Sequence, residues 1–303
     1  MRIILAIFAF LAFIPPPAPL RAQEDAALAS QLRALIAPYR GDVSVYAVDL
    51  RSGKTVAIDA DTPVPTASVI KLAILFEALE QIQQGRVAFD DRLTMVGSDR
   101  VQGSGVLQLF DTPMTLTLKD ALTMMITQSD NTATNLAIDH LGLANIDRRI
   151  EWLGLHDTWL YKKVFLPPSG PVPPDQPQFG LGKTTAREMA EIMTRLAECD
   201  LNAPGGPAAP TPEQQRLCDA ALFMLRNQSD RESIPRYLDT LRVANKTGAL
   251  DAVRNDVGIV YAGNGPIVIS LFTNHNADQR WTVDNAAYLL MARLAWTIVE
   301  RWS

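Results

Sequence analysis

A serine and a lysine stand three residues apart in the run Pro65 to Leu72, which reads PTASVIKL. Side chains three apart on a helix are neighbours, so the Lys71 ammonium can reach the Ser68 hydroxyl. A lysine whose pKa is lowered by burial or by another cation can accept the proton of the serine, and a helix N-terminus favours the developing negative charge. Ser68 is a candidate nucleophile and Lys71 its candidate base, although such a pair also arises by chance on protein surfaces.

A second polar cluster, Ser129-Asp130-Asn131, falls between two segments whose apolar periodicity predicts helices, Leu116 to Ile126 and Thr132 to His140. A short link between packed helices can aim Ser129 and Asn131 into a pocket. Serine, aspartate and asparagine are also common turn formers, so the tripeptide alone is weak support for a site.

Two loops are expected to border such a site. Gly103-Ser104-Gly105 predicts a loop that is mobile enough to line a cleft. The stretch from Asp157 to Lys183 lacks periodicity and carries six prolines, so it predicts a long loop. Long loops inside compact domains are usually functional or disordered.

The elements that must position these residues fall into two groups. Alternation at period two predicts a hairpin near the N-terminus and three strands near the C-terminus, while helical periodicity marks both ends and the whole middle. This order predicts an α+β fold, with one antiparallel sheet shared by both ends, flanking helices and an inserted all-helical lobe. The α/β part covers about residues 23–64 and 213–303, and the lobe about 65–212. The predicted strands are Val43–Leu50, Thr55–Ala60, Leu241–Lys246, Val253–Tyr261 and Ile267–Thr273, and the further predicted helices are Ala26–Tyr39, Ser68–Gln84, Asn145–Trp152, Ala186–Ala197, Pro212–Leu225 and Asp284–Arg301.

The composition and the first residues indicate an exported globular protein. The chain has 303 residues, of which 48% are hydrophobic and 20% charged. Residues 1–22 combine Arg2, the apolar run Ile3 to Ile14, a proline cluster and a candidate cleavage site after Ala22, which is typical of a secretory signal. The run is too short to span a membrane, and no cysteine follows it closely, so no membrane anchor is expected after signal removal. Losing Arg2 and Arg21 moves the formal charge from −5 to −7, which disfavours a nucleic-acid partner.

The two cysteines, Cys199 and Cys218, flank a turn-rich connection between two predicted helices. In an oxidising compartment such a pair tends to form a disulfide, although two unpaired buried thiols remain an alternative. The three histidines are scattered without ligand spacing and form no recognised zinc pattern with the cysteines. We therefore expect a disulfide and neither a metal nor another cofactor.

The sequence Lys246-Thr247-Gly248 on the first C-terminal strand completes an ordered set with the two earlier clusters. In order and spacing this set resembles the penicillin-interacting serine hydrolases, and most closely the class A β-lactamases. Ser68 precedes Ser129 by 61 residues, and Ser129 precedes Lys246 by 117. The resemblance runs from the hairpin near Val43 to the last helix and implies the β-lactamase/transpeptidase-like fold.

The resemblance implies a role for each catalytic residue. Ser68 is expected to attack a β-lactam carbonyl with Lys71 as its base, and Ser129 to pass a proton to the leaving ring nitrogen. Asn131 is expected to hold a substrate amide and Lys71. The backbone N–H groups of Ser68 and Ala249 are expected to form an oxyanion hole, whose donors are commonly worth several kcal/mol at the transition state.

The resemblance also implies a carboxylate subsite. Lys246 and Thr247 are expected to bind the substrate carboxylate, for which an ammonium and a hydroxyl are chemically suited. Gly248 is expected to keep the strand open for the approaching substrate. Arg254, on the next strand, is a candidate for a second carboxylate contact, with a surface arginine as the alternative.

The chain departs from the class A pattern in the long loop. Class A β-lactamases carry a glutamate there that activates the water which releases the acylated serine. The segment from Asp157 to Lys183 contains no glutamate; its acidic residues are Asp157 and Asp175, and the next glutamate, Glu188, lies in a predicted helix. Acylation is therefore better supported than turnover.

Three functions remain open from the sequence. The first is a secreted, periplasmic and monomeric serine hydrolase that is acylated by β-lactams and hydrolyses them slowly. The second is a D-alanyl-D-alanine peptidase or an esterase-like hydrolase, and the third is a non-catalytic protein that binds peptidoglycan. The expected partner is a small β-lactam or a peptidoglycan-derived peptide. The tripeptide Ser129-Asp130-Asn131 argues against the class C branch, which usually has Tyr-x-Asn there.

Overall fold

The computed structural model describes residues 23–202 and 209–303, so the signal expected in residues 1–22 lies outside the described residues. Eleven strands and nine α-helices occur in this part of the chain. The strands are β1 (Gln23–Glu24), β2 (Asp42–Asp49), β3 (Lys54–Ile58), β4 (Val64–Pro65), β5 (Arg92–Met95), β6 (Met114–Thr117), β7 (Trp159–Leu160), β8 (Gly182–Thr184), β9 (Arg242–Leu250), β10 (Val253–Ala262) and β11 (Gly265–Asn274). The helices are α1 (Ala26–Ile36), α2 (Lys71–Gln83), α3 (Leu118–Thr127), α4 (Asn131–Leu141), α5 (Leu143–Trp152), α6 (Gln176–Phe179), α7 (Ala186–Glu198), α8 (Pro212–Arg226) and α9 (Ala286–Trp302).

The main sheet unites the two ends of the chain. Its order is β1-β3-β2-β11-β10-β9, so the N-terminal hairpin lies directly beside the C-terminal meander. All neighbours pair antiparallel except the two-residue strand β1, which runs parallel to β3. The prediction of one sheet shared by both ends is confirmed. Strand β9 forms one edge of this sheet, and it carries the Lys246-Thr247-Gly248 sequence.

Each face of the sheet is covered by its own apolar core. On one face, α1 and α9 pack against alternating strand residues such as Val45 and Ile269. On the other face, α7 contacts β2, β10 and β11, while α8 contacts β9. The helical lobe continues from this second core through α2, α3 and α4. Because α7 touches both the sheet and α2, the boundaries at about 64 and 213 stay a prediction.

Helix α2 is the central helix of the lobe. Every residue from Lys71 to Gln81 is buried, the apolar ones in the core of the lobe and Glu77 and Glu80 in ion pairs with Arg149. The predicted helix from Ser68 to Gln84 is in fact two elements, because a 3-10 turn at Ala67–Ile70 precedes α2. Ser68 therefore lies in the turn that leads into the helix, and Lys71 is the first helical residue.

A disulfide joins Cys199, at the end of α7, to Cys218 on α8, with the two Cα atoms 5.6 Å apart. This confirms the predicted pairing and excludes the alternative of two unpaired thiols. The bond fixes the two helices that connect the lobe to the sheet. Among residues 23–202 and 209–303, no helix combines the length and the apolar character that crossing a bilayer requires.

Candidate active site

The segment Pro65–Ile70, here called the Ser68 turn, is held against the main sheet. Ala67 has a φ of +44°, in the left-handed region that non-glycine residues rarely adopt. The Thr66 N–H donates to the Gly182 carbonyl at 2.9 Å. Ser68 itself is partly exposed although its neighbours Ala67 and Val69 are buried. The turn therefore presents one hydroxyl from an otherwise buried backbone.

Gly248 allows the Ser68 turn to approach strand β9. A Cβ atom at Gly248 would lie 2.8 Å from the Ser68 nitrogen and 2.9 Å from the Thr66 carbonyl oxygen. Such distances do not occur in real structures, so only glycine fits here. The sequence-based expectation that Gly248 leaves room for the substrate is therefore incomplete, because its missing side chain already makes room for the Ser68 turn.

Lys71 is completely buried and directed at the second polar cluster. Its Nζ donates to the Ser129 carbonyl oxygen at 2.7 Å, to the Ser129 Oγ at 3.1 Å and to the Asn131 Oδ1 at 3.0 Å. Within the described residues, 23–202 and 209–303, no hydrogen bond joins the Lys71 ammonium to the Ser68 hydroxyl. The structure thus brings Lys71, Ser129 and Asn131 together one helical turn from Ser68.

Lys246 approaches the same serine from the opposite side. Its Nζ donates to the Ser129 Oγ at 3.1 Å and to the Thr247 carbonyl oxygen at 2.7 Å. Ser129 has a φ of +52°, which turns its backbone sharply between α3 and α4. The hydroxyl of Ser129 consequently bridges the two lysines, and the three sequence clusters meet at one atom.

Burial changes the acidity of both lysines. It lowers the pKa of Lys71 well below the ordinary value, with a further contribution from the positive charge of Lys246 and an opposing one from Asp130. Burial also lowers the pKa of Lys246 to about 8, against the opposing charges of Asp230 and Asp256. The lowered pKa of Lys71 favours its neutral form more than in an exposed lysine, which a proton acceptor requires. Lys246, with a pKa of about 8, is mainly a cation at neutral pH.

Asp130 anchors the loop that follows Gly103. Its Oδ2 accepts the N–H groups of Val106 and Leu107 at 2.7 and 2.8 Å, and its Oδ1 caps α4 at Ala133. Gly105 packs so closely on Asp130 that no Cβ fits. The loop borders the site, and its backbone at Val106 and Leu107 is bound to the Asp130 carboxylate; its mobility stays a prediction.

A stripe of three side chains on α4 connects the cluster to the long loop. Asn131, Asn135 and Asp139 follow each other at four-residue steps, which places them on one helix face. Asn131 binds Lys71, while the Asn135 amide exchanges two hydrogen bonds with the backbone of Val164, at 2.8 and 3.1 Å. The sequence analysis missed Asn135, although its spacing from Asn131 was a usable signal. On the same face of α4, Asp139 forms an ion pair with Lys163 of the loop at 2.8 Å.

The loop segment beside Asn131 is apolar. Val164 is 7% exposed, and the ring of the exposed Phe165 packs over Gly103. A Cβ at Gly103 would lie 3.0 Å from this ring and 2.8 Å from the Asn131 Nδ2. The described loop therefore meets α4 and Gly103 through the Val164 backbone and the Phe165 ring.

Two acidic residues of the loop region, Asp175 and Glu188, are engaged in holding the loop itself. Asp175 accepts the Tyr161 hydroxyl and the Lys183 ammonium, both at 2.8 Å, and the bond from Lys183 lowers the pKa of Asp175. Glu188 accepts the Asp157 N–H at 3.0 Å and the Thr158 hydroxyl at 2.6 Å. The Asp175 carboxylate thus links the two ends of the loop, through Tyr161 and Lys183.

Arg254 is not a surface residue. It is completely buried, and its guanidinium lies 4.4 Å from the centre of the Trp281 ring. It donates to the backbone carbonyls of Leu250, Val253 and Arg280. The pairing of Arg254 with Ala249 puts it on the Thr247 side of the sheet, yet its hydrogen bonds go to the β9–β10 hairpin and to the Arg280 carbonyl. In the described structure it is a packed element of this hairpin, so the surface alternative is wrong and the carboxylate contact stays a prediction.

The sequence of this chain is similar to one family over nearly its whole length. The family described as "Beta-lactamase enzyme family" matches residues 27–302. Beta-lactamase 3 of Bacillus cereus is 28% identical over 247 residues, which cover 79% of this chain and 72% of that protein. A β-lactamase of Streptomyces fradiae is 27% identical over 294 residues, covering 94% and 89%.

Solved structures agree with the sequence comparison. A leucine-to-glutamate variant of PBP-A, described as an acyl-enzyme complex with penicillin G, has a TM-score of 0.77 and 25% identity, covering 93% of this chain and 98% of that chain. A β-lactamase from Sphaerobacter thermophilus has a TM-score of 0.76 and 27% identity, covering 92% and 97%. The predicted β-lactamase/transpeptidase-like fold is confirmed.

Proposed function

The chain belongs to the β-lactamase enzyme family, and from that premise we propose that it is a serine hydrolase acylated at Ser68 by β-lactams, with slow release of the acyl group. Membership of the family makes the chain a class A β-lactamase-like serine hydrolase. The proposal of acylation at Ser68 rests on the convergence of Lys71 and Lys246 on the Ser129 hydroxyl.

Acylation begins with proton transfer from Ser68 to Lys71. The lowered pKa of Lys71 favours the neutral amine that this step requires. Lys71 must turn from Ser129 towards Ser68, and such catalytic hydrogen bonds commonly tighten only when substrate is bound. The Ser68 Oγ then bonds to the β-lactam carbonyl carbon, and the backbone N–H groups of Ser68 and Ala249 hold the resulting oxyanion.

Collapse of this intermediate breaks the ring C–N bond. Ser129 gives its hydroxyl proton to the leaving nitrogen and regains one from Lys71, since both Lys71 and Lys246 lie 3.1 Å from its oxygen. In net terms Ser68 has lost one proton and the ring nitrogen has gained one, while Lys71 and Ser129 have returned to their starting states. Lys246 keeps its charge during this relay and, with Thr247, binds the substrate carboxylate.

Release of the acyl group requires an activated water, and the loop lacks the group that the class A pattern places there. Val164 occupies the loop position bound to Asn135, one helical turn from Asn131. The carboxylates of Asp175 and Glu188 are held by their own partners. The ester at Ser68 is therefore expected to persist, because nucleophilic catalysis divides the reaction into two steps with independent rates.

The apolar loop also favours a second candidate, a D-alanyl-D-alanine peptidase. Such an enzyme uses the same acylation chemistry on a peptide, and a long-lived ester with a β-lactam is the expected behaviour. The similarity to PBP-A supports keeping this candidate. A non-catalytic peptidoglycan-binding protein is less well supported, because binding alone does not need a nucleophile with a buried, activated lysine.

The site of action is part of the same proposal. The disulfide between Cys199 and Cys218 supports an oxidising compartment, and the residues 1–22 carry the signal pattern. We expect a monomeric mature protein of the periplasm that meets small β-lactams or peptidoglycan-derived peptides. Protein sequencing of the N-terminus after export, together with sedimentation of the purified protein, tests this.

Labelling and turnover together distinguish the three candidates. A fluorescent penicillin is incubated with the wild type and with Ser68→Ala, and hydrolysis of a chromogenic cephalosporin and release of D-alanine from a D-alanyl-D-alanine peptide are followed in parallel. We expect covalent labelling of the wild type, none of Ser68→Ala, and slow cephalosporin hydrolysis. Fast release of D-alanine would favour the peptidase, and an unlabelled wild type would favour a binding protein.

A further inference from the structure

The Ser68 turn is fastened to the sheet by one side chain that none of the three sequence clusters contains. Asn255 lies on β10 directly opposite Gly248 and is 1% exposed. Its Nδ2 donates to the Pro65 carbonyl oxygen at 2.9 Å and to the Thr66 carbonyl oxygen at 3.2 Å. A single amide thus binds two successive peptide groups immediately before Ala67 and Ser68.

The two carbonyls set the orientation of the Asn255 amide. Its Oδ1 is buried and accepts no hydrogen bond from a protein group within residues 23–202 and 209–303, so the amide binds the turn through Nδ2 alone. Because both neighbouring groups are carbonyls, the amide must present its Nδ2 to them. The amide is therefore oriented by the turn that it holds.

The turn itself needs such a restraint. Ala67 is in the left-handed region without being glycine, and strained backbone of this kind persists only where surrounding contacts determine it. Without a Cβ at Gly248 the Ser68 nitrogen can lie against β9, but the glycine only permits this approach. The two hydrogen bonds from Asn255 are what draw the turn towards the strands.

We infer that Asn255 is a positioning residue, which holds the Ser68 turn against β9 so that the Ser68 and Ala249 N–H groups act as one oxyanion hole. This inference rests on the proposed acylation of Ser68. Donors of an oxyanion hole act only when they meet the developing charge at hydrogen-bond distance, and misplacement of about 1 Å can cost roughly a hundredfold in rate.

The test compares Asn255→Ala and Asn255→Asp with variants of a matched residue. Asn285 is also buried, and its Nδ2 donates to two backbone carbonyls, those of Asp278 and Arg280, at 3.0 and 2.8 Å. It starts α9 and lies outside the cluster around Ser129. Asn285→Ala should lower stability while leaving the acylation rate unchanged, and Asn285→Asp serves as the isosteric control.

Two measurements report on the oxyanion hole itself. The first is the second-order rate of acylation by penicillin, which should fall about tenfold to a hundredfold in Asn255→Ala. The second is the infrared stretching band of the ester carbonyl in the acyl-enzyme, made with penicillin labelled with ¹³C at the β-lactam carbonyl. This band should move to higher frequency in Asn255→Ala, because weaker hydrogen bonds polarise the carbonyl less.

Asn255→Asp provides a pH-dependent signature. A neutral carboxylic acid can donate one hydrogen bond to a turn carbonyl, whereas a carboxylate cannot. The acylation rate of Asn255→Asp relative to wild type should therefore rise as the pH falls. This comparison also remains available if Asn255→Ala does not fold.

The inference is wrong if the Asn255 variants lose stability but keep the wild-type acylation rate and carbonyl band, or if the Asn285 variants change both equally. A wild type that forms no ester at Ser68 would instead contradict the proposed function. The two failures are therefore distinguishable.

Discussion

Lys71 and Lys246 donate to the same atom, the Ser129 hydroxyl oxygen, each at 3.1 Å. Two ammonium groups so close to one another would repel, and the positive charge of Lys246 indeed contributes to the lowered pKa of Lys71. The proposed function divides the pair, with Lys71 as the amine that takes a proton and Lys246 as the cation that attracts the substrate carboxylate. In that proposal Ser129, which contacts both, passes protons while the carboxylate is bound.

The first prediction concerns the alkaline side of the pH profile. Burial lowers the pKa of Lys246 to about 8, so its charge is present below that pH and is lost above it. The second-order acylation rate of a penicillin should fall about tenfold per pH unit well above the pKa of Lys246. Lys246→Arg should move this decline to higher pH, because arginine keeps its charge there.

A substrate control isolates the role of the charge. A penicillin ester, which lacks the free carboxylate, should show no such decline in the wild type. An identical alkaline limb for the acid and the ester would argue that Lys246 does not bind the carboxylate.

The second prediction is a gain of deacylation by Val164→Glu. The Asn135 amide binds the backbone of Val164, so the substitution leaves these two hydrogen bonds intact and puts a carboxylate at the loop residue that α4 holds, one helical turn from Asn131. Burial should raise the pKa of the new carboxyl towards the range of a useful base. We expect the acyl-enzyme to decay roughly a hundredfold faster, the lower range for general base catalysis.

Val164→Gln is the matched control, since it has nearly the same shape without a basic carboxylate. Decay of the preformed acyl-enzyme, followed by intact-protein mass spectrometry, measures both variants. Equal acceleration in Val164→Glu and Val164→Gln would show that the loop was disturbed and that no base was installed.

Most of the fold could be predicted from local patterns in the sequence. Period-two alternation identified the hairpin at Val43–Ala60 and the three C-terminal strands, and their shared sheet followed from the order of elements. The disulfide followed from the flanking positions of Cys199 and Cys218. These features depend on residues near each other in sequence or on simple topology, which a single sequence records.

The features that escaped prediction are tertiary. The bond of Asn135 to Val164 joins residues 29 apart, and that of Asn255 to Pro65 joins residues 190 apart. No periodicity encodes such pairs. The burial of Arg254 under Trp281 was missed for the same reason, because an arginine in a strand is most often exposed.

The third prediction concerns the disulfide. Cys199 and Cys218 close a loop with a sequence separation of 19, and loss of this cross-link should lower the free energy of unfolding by ~3 kcal/mol in the chain-entropy account. Urea unfolding of the double variant Cys199→Ser/Cys218→Ser measures the change. Reducing agent should destabilise the wild type and leave the variant unaffected. Two titratable thiols in the denatured, unreduced wild type would contradict the pairing.

The fourth prediction links stability to pH through Asp147. Its carboxylate accepts the Leu160 N–H at 3.1 Å, and burial raises the pKa of Asp147 to about 6. A raised carboxyl pKa contributes stability that is complete at low pH and is lost as the pH rises to about 6, a change of at most ~3 kcal/mol. Asp147→Asn should therefore gain stability relative to wild type between pH 4 and pH 7. A difference that does not vary with pH would contradict this.

The most direct test of the central claim is rapid mixing of the mature protein with a chromogenic cephalosporin, combined with mass spectrometry of the quenched mixture. We predict a burst of about one chromophore per chain, a much slower steady phase, and an adduct on the peptide that contains Ser68. Fast steady turnover without a burst, or an adduct on any other residue, would contradict the account of an acyl-enzyme at Ser68 that is formed readily and released slowly.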